Sequence, residues 1–183
     1  MSTQFTLIKQ QLASDSAQVY LGPHNNHNWK VIAEAPPAYE VNLGDRQLQV
    51  RQGFGDQSTI VLLKGTFHGI TKSSAVIEGY NGQASAKRRS KLKVVWSFVD
   101  FSGNEFSWHM SKWGFSWELR DVNDRKVAEF ATKKKSNHLM GVMTVYDDSL
   151  PESSLMLALL TCTLIYNSMF ACNMPVVAPV VVT

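Results

Sequence analysis

Apolar and polar positions alternate through the middle of the chain. Phe106, Trp108 and Met110 take one parity while Glu105, Ser107, His109 and Ser111 take the other, the two-residue period of a strand with one buried face. Trp113, Phe115, Trp117 and Leu119 continue the alternation in a second segment, opposite Gly114, Ser116, Glu118 and Arg120. Ahead of them the run KLKVVWSFVDF, residues 91–101, is rich in β-branched and aromatic residues and reaches the Phe106 segment through Ser102, Gly103 and Asn104, a short turn. Asn123 and Asp124 tolerate left-handed backbone and separate residues 117–122 from 127–132, and residues 138–146 complete five successive strands. Upstream, residues 5–10, 29–35, 47–52, 59–67 and 75–80 read as strands between turn formers such as Gly22-Pro23 and Pro36-Pro37. Roughly ten short strands at regular spacing predict an antiparallel barrel or sandwich.

The period changes after Asp147-Asp148. Ser149-Leu150-Pro151-Glu152 has the form of a capping box, with Ser149 at the N-cap and Glu152 at the third helical position. Beyond it apolar residues lie on every side of the expected helix, and residues 153–183 contain no Asp, Glu, Lys, Arg or His. Such a helix has no face for water. Three homes compete for it: the lumen of the chain's own barrel, a membrane, or a partner's groove. A groove needs only one apolar face. Against a membrane, Thr161, Thr163, Asn167 and Ser168 dilute the run, Pro175 interrupts it, and the nearest charges are acidic. A closed barrel of many strands leaves an interior too wide for short side chains to fill, so a central helix suits both the barrel and the helix.

Composition narrows the class further. With 183 residues, 44% hydrophobic and 18% charged, the chain is globular and suits one domain with a sizeable core. Cys162 and Cys172 both fall in the apolar segment, and ten residues of helix would set them about 15 Å apart, too far for a disulfide. There is no Asn-x-Ser/Thr sequon, and the opening MSTQFTLIKQQLASDS lacks a basic stretch followed by an apolar core. A reducing, cytoplasmic location is expected.

The net charge is only +3, but residues 87–135 hold twelve of the eighteen Lys and Arg against six Asp and Glu. Lys87, Arg88, Arg89, Lys91 and Lys93 form one basic run, and Lys133, Lys134 and Lys135 form a second. Runs of this kind are commonly solvated loops and strand ends. They also suit an anionic surface, because clustered cations near such a leaflet contribute about 1 kcal/mol each. Strand alternation would put Arg89, Lys91 and Lys93 on one face, a phosphate site if Lys133 to Lys135 folds close by.

The order of features from Phe115 onward adds a resemblance. Phe115-Ser116-Trp117-Glu118-Leu119-Arg120-Asp121, a turn, Lys126-Val127-Ala128-Glu129-Phe130, a basic stretch, a strand and a closing hydrophobic helix resemble the tubby C-terminal superfamily. That group includes the plant LURP-one-related proteins and the phospholipid scramblases, and the likeness covers roughly residues 91–170. It implies a barrel of about twelve strands threaded by the hydrophobic helix. The expected fold is thus mainly β: a closed antiparallel β-barrel of about 10–12 strands with a hydrophobic C-terminal α-helix through its centre. Residues 1–172 form one domain that includes the helix at 150–172, and residues 173–183 form an apolar tail. The resemblance further implies a non-enzymatic, membrane-peripheral protein that binds anionic phospholipid of phosphoinositide type or a membrane-associated protein partner. The alternative it implies is a scramblase-like lipid-handling protein anchored by the helix. Calcium dependence is not expected, because no D-x-[DN]-x-[DN]-G loop is present, and no cofactor is expected.

Other chemistries find less support. Trp96, Trp108, Trp113 and Trp117 near basic residues suggest base stacking, but each lies on the apolar side of a strand, so core packing explains them better than nucleic acid. No G-x-S-x-G, P-loop, Rossmann or H-E-x-x-H motif occurs. Gly53-Phe54-Gly55 reads as turn residues. His24 and His27 lie in a polar, Asn-rich loop and would need further ligands to hold a metal. His109 is a surface imidazole, the two cysteines are apolar fillers, and Asp147 and Asp148 belong to the helix start.

Overall fold

The computed structural model describes residues 2–9, 16–22, 29–53, 59–68, 73–88, 96–111, 116–132 and 138–170. Its strands are β1 (Thr3–Ile8), β2 (Ala17–Leu21), β3 (Tyr39–Leu43), β4 (Gln47–Gln52), β5 (Ile60–His68) and β6 (Ser74–Gly79), followed by β7 (Gly82–Arg88), β8 (Trp96–Val99), β9 (Glu105–Met110), β10 (Ser116–Asp121), β11 (Lys126–Thr132) and β12 (Leu139–Val145). A short helix α1 (Trp29–Ile32) precedes β3, and a long helix α2 (Glu152–Phe170) follows β12. Each strand pairs antiparallel with its sequence neighbours, and β1 pairs with both β2 and β12. The sheet therefore closes as an up-and-down barrel and leaves no unpaired edge.

Helix α2 runs through the lumen. Met156 to Tyr166 are buried without a break, whereas a helix lying on the outer wall would expose a stripe every three or four residues. Inward side chains from all twelve strands join α2 in one core cluster. Among the described residues, no helix is long and apolar enough to cross a membrane. Residues 171–183, which include the expected tail, lie outside the described residues.

Local chemistry departs from expectation in three places. Residues 29–35 were expected to form a strand and instead supply α1, whose Ile32 packs on Ile8, Tyr20 and Leu139 outside the barrel. Trp29 stacks on His138 with ring centroids 4.1 Å apart. Trp29, Ile32 and Ala33 have helical spacing, and a short apolar run carries too little period to separate helix from strand. Strands β2, β3 and β7 had no sequence expectation. The inward residues of β7 are Ala84 and Ala86, too small to signal a strand, and Ala86 sits opposite the bulky Phe98 of β8. Finally, α2 begins at Glu152, not at Leu150, and Ser149 donates its backbone N–H and its hydroxyl to Asp147 Oδ1 at 3.0 and 2.5 Å. The Asp147 turn thus engages the hydroxyl expected as a cap.

Three tryptophans on neighbouring strands face α2 differently. Trp108 donates its indole N–H to Thr161 Oγ1 at 2.8 Å. Trp96 and Trp117, only 2% and 1% exposed, have indole N–H groups that meet no acceptor. Replacing any of the three with Phe removes similar volume, so the hydrogen bond separates them. Trp108→Phe is expected to cost about 1 kcal/mol more than Trp96→Phe or Trp117→Phe in urea unfolding. Equal losses would show that the Trp108–Thr161 bond contributes nothing net.

Candidate functional site

Strand direction decides which connections share an end of the barrel. Helix α2 enters at the end that carries the turns after β6, β8 and β10, and it leaves at the opposite, exit end. At the exit end β7 stops at Arg88 and β8 starts at Trp96, and β11 stops at Thr132 and β12 starts at Leu139. The connections that follow β7 and β11 therefore depart from one end. Arg89, Lys91, Lys93, Lys133, Lys134 and Lys135 lie in those connections and outside the described residues.

The described cations at this end come from separate elements. Lys87 is exposed and shares the outward parity of Ser85 on β7, while Arg88, half-buried, has the opposite parity. Arg46 is exposed in the turn between β3 and β4. Lys9 follows β1 and holds its ammonium 5.7 Å from the ring centre of Tyr166, near the exit of α2.

Beside Lys87 the outer wall forms a groove of about 440 Å³, lined by Ser85, Lys87, Ser97, Phe98, Val99 and Glu105. Strand register explains its layout. Lys87 sits opposite Ser97, which sits opposite Ser107; one step towards the entry end, Ser85, Val99 and Glu105 lie abreast. An ammonium and hydroxyls can donate to an anion on the exit side, while the Glu105 carboxylate repels one on the other side.

The remaining described cations of residues 87–135 are held in ion pairs. Arg120 pairs with Glu118 at 2.7 Å and Asp124 at 2.9 Å; Arg125 pairs with Asp121 at 3.1 Å and Asp147 at 2.8 Å. Lys126 lies 2.5 Å from Glu129 and 3.6 Å from Glu118, with its ammonium 4.8 Å from the ring centre of Tyr146. The hydrogen bond from Arg120 holds the Glu118 carboxyl below its ordinary value, and the Arg125 backbone N–H does the same for Asp121. These pairs are partly exposed and contribute modestly to stability. They do neutralise this part of the wall.

The other candidates have ordinary surroundings or fall outside the description. His109 is exposed and shares a 2.8 Å hydrogen bond with Ser107 Oγ. Cys162 is buried, and burial pushes its thiol well above the usual range. Met110 is half exposed despite its apolar parity. Trp113, His24, His27 and Cys172 lie outside the described residues. The sequence reading missed Ser85, Ser97 and Glu105, whose role in the groove depends on recognising β7 and its register with β8. No family model, curated protein or solved structure matches the chain.

Proposed function

We propose that the protein is a non-enzymatic binding module that sits peripherally on an anionic phospholipid surface, at the cytoplasmic face of a membrane, through the exit end of its barrel. The observation that carries this reading is the strand order, which sends the two basic connections away from one end of the barrel, beside Lys87, Arg88 and Arg46. The lumen is filled by α2, so recognition falls to the outer surface. The tubby-like kinship, proposed from the sequence pattern, agrees with a twelve-stranded barrel around a hydrophobic helix. A scramblase-type anchor would need α2 in lipid, and the barrel covers Met156 to Tyr166 on every side.

Co-sedimentation with vesicles of phosphatidylcholine alone, or with added phosphatidylserine or phosphoinositide, tests the proposal. Binding is expected only to the anionic vesicles, and it weakens as salt rises from about 0.05 to about 0.5 M. Replacing Lys87, Arg88, Arg89, Lys91 and Lys93 by Ser should lower the affinity about a hundredfold, given about 1 kcal/mol for each cation before screening. If the wild-type protein ignores anionic vesicles at low salt, the lipid reading fails and a protein partner takes its place.

A further inference from the structure

The entry end of the barrel has the opposite character. Of the nine exposed large hydrophobic side chains among the described residues, seven lie at or next to strand ends on that side, led by Val122 at 80%, Leu21 at 63% and Ile60 at 56% exposed. Tyr80 joins them from the tight turn between β6 and β7, where its φ is 47° and that of Asn81 is 59°. A bulky residue at positive φ is strained, and here the turn holds its ring out at the rim, 5.7 Å from Phe101. Around these apolar groups Arg120 and Arg125 are paired with Asp124, Asp121 and Asp147, and Glu40, Glu78, Glu105, Asp148 and Glu152 outnumber the other cations there, Arg51 and Lys126. An apolar, acidic end thus faces away from a basic one on the same molecule.

We propose that the entry end docks the exit end of a second copy of this chain, head to tail. Charge complementarity supports this occupant, because the acidic rim matches an end that carries Arg46, Lys87 and Arg88. Size supports it as well. Twelve strands about 4.8 Å apart and tilted by about 40° make a Cα cylinder about 24 Å wide. With side chains, the end face covers about 900 Å², against about 800 Å² per partner in a standard interface. Unlike ends meeting in this way make a heterologous contact, which leaves a free entry end and a free exit end after every addition. The inference does not depend on lipid binding, and its test contains no lipid.

Sedimentation velocity of the full chain is expected to show monomer at about 0.5 M salt. At about 0.05 M salt, species should grow with protein concentration and reach no fixed end point. An entry variant (Val122→Ser, Asp148→Lys, Glu152→Lys) and an exit variant (Arg46→Glu, Lys87→Glu) should each weaken self-association at least tenfold. The exit variant should melt like wild type, since Arg46 and Lys87 lie on the surface. In the entry variant Glu152→Lys sets a cation at the start of α2, which should lower the melting temperature by a few degrees while leaving the protein folded at the temperature of the experiment. Mixed in equal amounts, the two variants keep one intact junction between them and should form a dimer that grows no further. A wild-type protein that stays monomeric at low salt overturns the inference. So does a closed dimer that survives the exit substitutions, or a mixture that behaves as its separate components.

Discussion

A chain ending at Asp148 is expected to give no cooperative unfolding transition. Helix α2 places Met156, Leu157, Leu159, Leu160, Leu164, Ile165 and Tyr166 in the core, none more than 7% exposed. Burying a large apolar side chain contributes about 1.5–3 kcal/mol, so these seven contribute about 10–20 kcal/mol, as much as the whole net stability of an ordinary domain. Without them the inward residues of twelve strands border a lumen too wide for them to meet across, and protein interiors do not tolerate voids of that size. Near-ultraviolet circular dichroism should lose its fixed aromatic signals, and calorimetry should show no heat-absorption peak. A truncated chain that stays compact and melts at the wild-type temperature would show that the lumenal helix is dispensable.

Asp100→Ala should cost about 2–4 kcal/mol at neutral pH, because it leaves the buried Ser154 hydroxyl and the donors of the β8–β9 turn without their charged acceptor. Asp100 is 2% exposed and follows β8. Its carboxylate accepts the Ser102 and Asn104 backbone N–H groups at 2.9 and 2.8 Å, the Asn104 side-chain amide at 3.2 Å, and the Ser154 hydroxyl at 2.7 Å. One side chain thus closes the turn between β8 and β9 and ties the first turn of α2 to it. Burial pushes the Asp100 carboxyl up, but the hydrogen bonds from Ser154, Asn104 and Ser102 outweigh it, and its pKa lies below the ordinary 3.8. A lowered folded pKa means that its contribution is full above the unfolded value and is lost as pH falls through the folded one. The gap between wild type and Asp100→Ala in urea unfolding should therefore be widest near neutral pH and narrow below about pH 4. A gap that stays constant down to about pH 3 would show that the ionised form of Asp100 is not what stabilises the helix entry.

The candidate site was legible only in part. Lys87 and Arg88 stand out in the sequence because a charge run needs no tertiary information to be seen. Which end of the barrel they occupy was not legible. In an up-and-down barrel, each unrecognised strand inverts the end at which every later connection opens. Strands β2, β3 and β7 gave weak signals, and residues 29–35 gave a false one. The groove was hidden for the same reason, since Ser85, Ser97 and Glu105 become neighbours only through the pairing of β7, β8 and β9.

The sequence by itself determined that this is a mainly β chain followed by an apolar helix that must be shielded from water. Strand alternation at Phe106–Trp108 and the absence of any charge after Glu152 are properties of consecutive residues, and water enforces both without reference to the rest of the fold. Tertiary structure alone decided how the charges are distributed. The pairing of β1 with β12 and the direction of each strand are contacts between distant segments. Those contacts set Lys87 and Arg88 at the opposite end of the barrel from the acidic, apolar rim.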